Sequence, residues 1–241
     1  MDKTDLEIRR KTRRSFLIGG VAAAAGFGGW CWLKTAPQDN QLSRPLRRVL
    51  EFNERVDRVV FSPARLAPTF PPMLAREPKP NGDIGIDDDD FDPATWKLEV
   101  EGAEEAGPFT LASIQALPRI EMVTQLNCIE GWTQVVHWAG ARFSDFVAKV
   151  APKTMKYVGM ETPDGDYYVG LDGDSAMHPQ TMLCYEMNGQ PLAANHGAPL
   201  RLVIPVKYGI KNLKRIGTIR FTNARPDDYW AEQGYDWYAG L

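Results

Sequence analysis

The spacing of hydrophobic and polar positions changes twice along the chain. A basic segment leads into an uncharged run at residues 16–33, and the following residues 38–80 are rich in Pro and Arg. From Trp96 onward, short stretches alternate apolar and polar residues as half-buried strands do. The pattern therefore predicts an N-terminal targeting segment, an extended region and a folded domain. Their predicted bounds are residues 1–36, 37–91 and 92–241.

Within the extended region, residues 44–60 are the exception to irregular chain. Proline recurs too often in the rest of this region for regular helix or strand. At 44–60, apolar side chains recur every three or four positions, which predicts one short amphipathic helix. These side chains are Leu46, Val49, Leu50, Phe52 and Val56.

The extended region ends in an acidic stretch, NGDIGIDDDDFDP, with carboxylates at positions 83, 87–90 and 92. A calcium-binding loop needs D-x-D-x-D-G spacing with a distal Glu, and this stretch lacks that spacing. We interpret it as a solvated acidic loop.

Strand patterns outnumber helix patterns in the folded domain, which indicates an α+β fold. The turn Pro163-Asp164-Gly165 separates two strands, and a short helix begins after Thr110 and ends before Pro118. A second helix carries Phe143, Phe146, Val147 and Val150 on one face. The predicted helices lie in FTLASIQALP and RFSDFVAKVAP, and the predicted strands lie in WKLEVEG, RIEMVTQLNCIEGW, MKYVGMETPDGDYYVGL, TMLCYEMNGQPL, APLRLVIPVKYG and KNLKRIGTIRFTN.

Composition adds limits to this picture. The chain has 241 residues, of which 44% are hydrophobic and 24% charged, enough for one sizeable core. Its net charge of −3 and pI near 5.7 argue against a nucleic-acid-binding protein, which usually carries a basic excess.

The N-terminal segment has the order of a targeting signal, basic and then apolar. Its sequence Arg13-Arg14-Ser15-Phe16-Leu17 resembles the twin-arginine export signal, whose machinery carries proteins that have already folded, often around a cofactor. An ordinary signal and a single membrane helix are the alternatives. No A-x-A cleavage site follows the apolar run, so cleavage near Ala36 and retention as a membrane anchor both stay open.

Three cysteines carry candidate chemistry: Cys31 in the targeting segment, Cys128 and Cys184. Cys128 admits several interpretations. It could pair with Cys184 in an oxidising compartment, act as a nucleophile with His137 or His196 as its base, bind a metal, or be a buried inert thiol. Zinc is disfavoured, because no second cysteine stands at C-x-x-C spacing.

A group of basic residues near the end of the domain narrows these alternatives. The segments NHGAPLRLVIP and YGIKNLKRI place cations among glycines, an arrangement that suits a phosphate-bearing ligand. These cations are His196, Arg201, Lys211, Lys214 and Arg215. An anion site together with a lone soft thiolate points to a metal cofactor whose organic part ends in phosphate.

These motifs resemble a known family. CIEGW with the W-x-G that follows, and YEMNGQPL with HGAPLRLVIPVKYGIKNLKRI, are similar to the molybdopterin-binding domain of the sulfite oxidase superfamily. The resemblance is closer to its exported bacterial branch, which includes the catalytic subunit of the peptide-methionine-sulfoxide reductase. It covers roughly residues 92–225 and implies an α+β fold with layered, mixed sheets.

The resemblance also implies site residues. Cys128 stands where the family has its molybdenum-binding thiolate, and a soft sulfur ligand suits that metal. Arg201 matches the arginine that holds the cofactor phosphate, and His196 matches a contact to the pterin or its phosphate. The remaining implied cofactor contacts are Asn53, Thr162, Lys214 and the backbone of Asn212 and Leu213.

The function implied is that of an exported, periplasmic molybdenum oxidoreductase that transfers oxygen atoms or coupled electrons and protons. No C-x-x-C-H haem motif or iron–sulfur cysteine set is present, so we expect a separate electron-transfer partner such as a membrane haem protein. We expect no dimerisation domain after the predicted domain, and we expect a monomer. The rivals are a cysteine hydrolase using Cys128 and His137, and a non-catalytic secreted binding domain on the same fold.

The residues after Cys128 favour a neutral small-molecule or peptidyl oxide substrate over sulfite. Sulfite-oxidising relatives carry an arginine shortly after the metal-binding cysteine, whereas residues 129–136 here contain no basic residue and include Glu130. We expect Trp132 and Trp138 to shelter the apolar groups of a sulfoxide. Sulfite oxidation remains the alternative, because Arg119, Arg142 or Lys207 would favour it if they reached the pocket.

Overall fold

The computed structural model of the chain describes residues 3–87 and 91–241. The chain falls into two compact units, one ending at Val49 and the other spanning Leu50–Leu241. Part of the predicted acidic loop, residues 88–90, lies outside the described residues.

The first unit is dominated by a long helix that contains the predicted apolar run. Helix α1 spans Lys3–Thr35 and is followed by the two-residue strands β1, Gln38–Asp39, and β2, Leu42–Ser43, which pair antiparallel. The segment Glu7–Thr35 is long and apolar enough to cross a membrane, by length and composition. It therefore suits either a signal or an anchor.

Helix α2 spans Arg44–Val60, as the apolar spacing of the extended region predicts. The irregular chain that follows contains a 3₁₀ turn at Pro72–Leu74 and an isolated antiparallel bridge from Thr69 to Thr124. The helices of the domain are α3, Leu111–Gln115; α4, Phe143–Val150; α5, Gly173–Ala176; and α6, Tyr229–Glu232. Its strands are β3, Glu99–Glu101; β4, Arg119–Asn127; β5, Thr133–Arg142; β6, Tyr157–Glu161; β7, Tyr168–Asp172; β8, Met182–Met187; β9, Gln190–Pro191; β10, Arg201–Val203; and β11, Thr218–Thr222.

Two sheets form the domain, in agreement with the predicted α+β class. One is antiparallel and runs β10-β8-β5-β4, with β9 added to β8. The other runs β3-β11-β6-β7, and its β3–β11 pair is parallel. The second sheet is thus mixed in direction, as the family resemblance implies.

The main core joins residues of both sheets to helix α4. The four apolar residues predicted on one face of this helix, Phe143, Phe146, Val147 and Val150, are all buried in the same cluster. Thr110 caps α3, its side chain accepting a hydrogen bond from the Ser113 amide, which confirms the predicted start of that helix.

Strand β5 is the longest strand, and the sequence pattern did not predict it; the short elements α5, α6, β1 and β2 also had no prediction. It is the central strand between β4 and β8, with Val136 and Trp138 buried in alternation. Glycine at position 140 weakens the strand signal. The structure explains this glycine, since a Cβ there would lie 2.1 Å from the carbonyl oxygen of Leu183. Close backbone approach at a register shift between Ala139 and Gly140 therefore requires it.

Two buried lysines in the domain differ in their partners. Lys211 forms an ion pair with the buried Asp228 and donates to the Gly170 carbonyl at 2.9 Å. Lys207 is 2% exposed, and its Nζ has no hydrogen-bond partner among the described residues, lying instead over the Tyr238 ring. Burial lowers the pKa of Lys207 to about 7.

Replacing each lysine with methionine is expected to shift stability in opposite directions. Lys207→Met should raise the free energy of unfolding at pH 7 by about 1–3 kcal/mol, because an unpartnered polar group leaves the interior. Lys211→Met should lower it by about 3–5 kcal/mol, since Asp228 would remain as an unpaired buried charge. Urea unfolding of both variants measures the difference.

The stabilisation from Lys207→Met should also depend on pH. Unfolded lysine keeps its proton up to a pKa of about 10.4, whereas folded Lys207 has a pKa of about 7. Between these values the unfolded state binds more protons, so wild-type stability rises with pH and the advantage of the methionine variant shrinks. An advantage that grew from pH 7 to pH 10 would contradict this account of Lys207.

Candidate cofactor site

A cavity of about 320 Å³ in the second unit contains several of the residues singled out in the sequence. It is open to solvent on one side and has a buried thiol, one buried cation, Arg201, and one half-buried cation, Lys214, in its wall. Its lining residues from the predicted set are Cys128, His196, Arg201, Asn212 and Lys214.

Cys128 lies immediately after β4, at the beginning of the loop that leads to β5. The loop is closed by two backbone hydrogen bonds, from the Cys128 amide to the Trp132 carbonyl at 2.9 Å and from the Gly131 amide to the Cys128 carbonyl at 3.1 Å. Gly131 adopts φ +88°, which favours glycine. This tight loop fixes the thiol at the cavity wall, where it is 9% exposed.

Arg201 is the first residue of β10 and is 3% exposed. Its guanidinium donates to the carbonyls of His196 at 3.1 Å and Asn212 at 3.3 Å and lies 5.0 Å above the Trp138 ring. Burial lowers the pKa of Arg201 to about 10, so it is charged at neutral pH. Its Nε has no partner among the described residues, which leaves a buried donor free for an acceptor.

His196 ends a 3₁₀ turn and is 1% exposed. Its Nε2 lies 3.1 Å from the Glu77 carboxylate, which can only accept, so this nitrogen carries the proton. Burial lowers the pKa of His196, although Glu77 opposes this shift. The imidazole is therefore a neutral donor at neutral pH.

Gly197 brings the His196 turn close to the segment that carries Lys214. It adopts φ +95°, and a Cβ on it would lie 2.7 Å from the Lys214 Cβ and 2.8 Å from the Arg215 amide nitrogen. Only glycine fits this approach without a shift of backbone. The motif His-Gly-Ala-Pro thus places the imidazole and the Lys214 segment side by side.

Lys214 and Asn212 connect the site to two neighbouring loops. The Lys214 ammonium donates to the carbonyls of Asn81 at 3.2 Å and Gly82 at 2.8 Å, and burial lowers its pKa to about 8. Asn212 accepts from the Ile204 amide at 2.9 Å and donates to the Tyr208 carbonyl at 3.2 Å. These contacts hold the walls of the cavity in place.

Three residues of the predicted set do not line the cavity. Leu213 is fully buried in the core, and its carbonyl accepts from the Leu202 amide at 2.9 Å. Asn53 is exposed on α2. Thr162 is buried in the β6–β7 turn, where its hydroxyl donates to Asp164 at 2.5 Å and accepts from the Tyr167 amide at 3.1 Å. Thr162 thereby positions Tyr167, which does line the cavity.

No sequence motif predicted several of the residues that line the cavity. Pro78, Lys79 and residues 81–84 line the cavity, and the Asn81 side-chain Nδ2 donates to the Cys128 sulfur at 3.5 Å. The lining also includes the aromatic residues Tyr167, Trp230 and Tyr235. Long separation along the chain hides these contacts, because no local pattern links position 81 to position 128.

The alternative interpretations of Cys128 find less support. His137 bonds to Glu121 at 2.9 Å on the β4–β5 sheet and is absent from the cavity lining, so it does not face the thiol as a base. Cys128 and Cys184 are both free, and burial raises the pKa of Cys184 to about 12. Among residues 3–87 and 91–241, no group of three His, Cys, Asp or Glu side chains forms a metal site.

The three basic residues that would favour sulfite binding also lie outside the cavity. Arg119, Arg142 and Lys207 do not line the cavity, although Lys79 does, at its exposed rim. Glu130 lies at the mouth, where its carboxylate accepts from the Trp132 indole at 3.1 Å. Trp138 was expected to shelter substrate, but this is wrong, because it is 1% exposed in the core and stacks beneath Arg201.

The residues present fit a phosphate-bearing metal cofactor. Arg201 and Lys214 supply positive charge, the Arg201 Nε supplies a buried unpaired donor, and Cys128 supplies a single soft ligand. One thiol without further protein ligands suits a metal whose other ligands belong to an organic group.

Comparisons with known proteins agree with this chemistry. The family model described as "Oxidoreductase molybdopterin binding domain" matches residues 85–230. A relative from Azospira oryzae, named "Putative protein-methionine-sulfoxide reductase subunit YedZ1", is 36% identical over 95% of this chain and 86% of its own length.

Two further relatives are named "Protein-methionine-sulfoxide reductase catalytic subunit MsrP". The one from Xanthomonas campestris is 35% identical over 56% of this chain and 47% of its own length, and the one from Ralstonia nicotianae is 32% identical over 62% and 51%. The chain thus spans about half the length of these two curated relatives.

A solved structure, the sulfane dehydrogenase SoxCD from Paracoccus pantotrophus, shares the fold. Its TM-score is 0.52 at 18% identity, over 56% of this chain and 40% of that chain. The family match, the near full-length relative and the shared fold confirm the resemblance inferred from the motifs. The chain belongs to the oxidoreductase molybdopterin-binding domain family.

Proposed function

We propose that this chain is the catalytic component of an exported reductase that binds molybdenum through Cys128 and removes oxygen from a sulfoxide. The observation that carries the proposal is the lone buried thiol in one cavity with Arg201, a buried cation that has a free donor atom. When bound, the molybdenum cofactor supplies two-electron oxygen-atom transfer.

The chain's own residues would bind and orient that cofactor. Arg201 and Lys214 would hold the phosphate through charge-assisted hydrogen bonds. His196, whose Nε2 proton is engaged by Glu77, would contact the pterin or its phosphate with the rest of its ring. Asn212 would act through the backbone it supports, and Thr162 through the turn that positions Tyr167. Leu213 contributes its backbone, and Asn53 remains a predicted contact from α2.

The mouth of the cavity favours a neutral substrate with apolar groups. Trp132, Trp230 and Tyr235 offer aromatic surface. Glu130 opposes a small anion, since like charges about 6 Å apart repel by roughly 3 kcal/mol at an effective dielectric of 20. Lys79 also lines the cavity and is not assigned to phosphate; it is exposed, as Glu130 is, so solvent and salt screen both charges and the repulsion above is an upper limit. The names of the relatives support methionine sulfoxide, free or within a peptide, as the substrate.

Steady-state kinetics would test this choice. We expect kcat/KM for methionine sulfoxide, with a reduced viologen dye as electron donor, to exceed kcat/KM for sulfite, with an artificial acceptor, by up to about a hundredfold, which corresponds to the unscreened repulsion above. Glu130→Gln should narrow the gap by improving the sulfite value. A sulfite kcat/KM equal to or above the sulfoxide value would exclude sulfoxide reduction as the main activity.

Electrons for this reduction would come from a separate protein. The sequence has no haem or iron–sulfur motif of its own. The Azospira relative is named as a subunit, which supports a multi-subunit reductase. We infer a membrane haem protein as the partner and the periplasm as the location, reached through the twin-arginine motif at Arg13-Arg14, with α1 either removed or retained as an anchor.

A further inference from the structure

Helix α2 exposes an apolar face instead of burying it. Phe52 is 62% exposed, Val56 45%, Val59 85% and Val60 53%. These four residues are spaced as i, i+4, i+7 and i+8, so they share one side of the helix. We call this set the apolar stripe.

The charged side of the same helix packs onto the domain. Glu54 is 7% exposed and accepts from Arg225 at 2.8 and 3.2 Å and from Arg58 at 3.0 Å. Arg58 also stacks near the rings of Trp237 and Tyr238, at 6.0 and 5.5 Å. This buried ion-pair network sets the rotation of the helix and turns the apolar stripe outward.

The apolar stripe continues into a second cavity. Val60 lines a cavity of about 290 Å³ together with Phe61, Leu66, Val206 and Leu241. Leu66 and Leu241 are themselves 56% and 58% exposed. A continuous exposed apolar surface of this kind marks a contact with a membrane or a partner.

Neighbouring features of the chain select a membrane. The segment Glu7–Thr35 is apolar and long enough to span a bilayer. Residues 36–43 separate it from α2, and such a link spans at most about 29 Å when fully extended. Trp30, Trp32 and Lys34 near the end of the span are typical of a membrane–water interface.

The positions of the arginines on α2 also favour a membrane as the binding partner of the apolar stripe. Arg48 and Arg55 are exposed and stand four residues before Phe52 and Val59, which places them at the edge of the apolar stripe. An amphipathic helix with arginines beside its apolar face binds in the interface of an anionic bilayer. We propose that α2 lies on the surface of an anionic membrane, with the apolar stripe inserted among the lipid headgroups and upper acyl chains.

The test separates this contact from anchoring by α1. The full chain, with a protease site inserted after Ala36, is reconstituted into vesicles containing phosphatidylglycerol or phosphatidylcholine alone. After cleavage, we expect the released body to sediment with the anionic vesicles and to leave the neutral ones. High salt should weaken the binding, because it screens the arginines.

Variants of the apolar stripe identify the surface. The double variant Phe52→Asp with Val56→Asp should reduce partitioning of the cleaved body by at least about tenfold, given the cost of placing carboxylates among lipids. Met73→Asp is the control, since Met73 is 78% exposed outside this helix. It should bind as wild type, and unchanged thermal unfolding would show that all variants are folded.

Three outcomes would overturn the proposal. The first is release of the wild-type body from anionic vesicles as complete as that of the double variant. The second is equal loss of binding by Met73→Asp, which would assign the effect to net charge. The third is a cleaved body that leaves the lipid and forms dimers, or one that stays only on vesicles carrying a co-purified membrane protein. Either result would show that the apolar stripe contacts protein and not lipid.

Discussion

Replacing Cys128 with alanine is expected to lower sulfoxide reduction by more than about a hundredfold, because loss of groups that only support metal ligands already costs about 10–100-fold. Pterin content should fall much less. The proposed phosphate contacts, Arg201 and Lys214, come from other parts of the chain and do not bond to the thiol. Activity and pterin fluorescence of the purified variant measure the two effects.

Cys184→Ala is the matched control for this variant. Cys184 is also a free, buried thiol, but it lies on β8 and does not line the cavity. We expect it to keep full turnover and lose only a little stability from the smaller side chain. A Cys128→Ala protein with wild-type turnover would show that the thiol is not the metal ligand.

Replacing Arg201 with alanine is expected to remove the cofactor itself. A charge-assisted phosphate contact contributes about 1.5–3 kcal/mol, and in this buried position the loss corresponds to roughly tenfold to a hundredfold in affinity. The protein should be purified with little pterin and little molybdenum. Cofactor content per folded chain is the measurement.

Arg201 also supports the fold, so its effect needs a matched control. Arg215 is 3% exposed, donates to the Ala198 carbonyl at 3.3 Å and lies 3.8 Å from the Phe91 ring centroid, yet it does not line the cavity. Arg215→Ala should cost similar stability and keep its cofactor. Arg201→Lys should fold and retain an intermediate amount. Wild-type pterin in Arg201→Ala would argue against the phosphate role.

Local patterns predicted most elements because each depends on neighbouring residues. The spacing of apolar residues gives α2 and α4, the Thr110 cap gives the start of α3, and the turn at 163–165 gives the β6–β7 hairpin. Strand β5 was not predicted because Gly140 interrupts its pattern, and this glycine is explained only by contact with Leu183 of β8, more than forty residues away. The exposure of the apolar face of α2 could not be predicted for a related reason, since the partners of Glu54 and Arg58 lie near the end of the chain.

The candidate site divides in the same way. The motifs around Cys128 and in the segment 196–214 could be interpreted because their residues are contiguous and their chemistry is distinctive. The wall at 78–84 could not, since the contacts of Asn81 with Cys128 and Lys214 depend on how a Pro-rich segment crosses the domain. Arg201 was expected near phosphate, but its stacking on Trp138 required the register of the sheet.

The central claim is that Cys128 and Arg201 together hold a molybdenum cofactor. Metal analysis and pterin fluorescence of the full chain, purified from a host that makes molybdopterin, test it most directly. The account predicts molybdenum and pterin in near-equimolar amounts with the protein, and loss of both from Arg201→Ala but not from Arg215→Ala. Protein from such a host that is folded yet contains neither molybdenum nor pterin would contradict it.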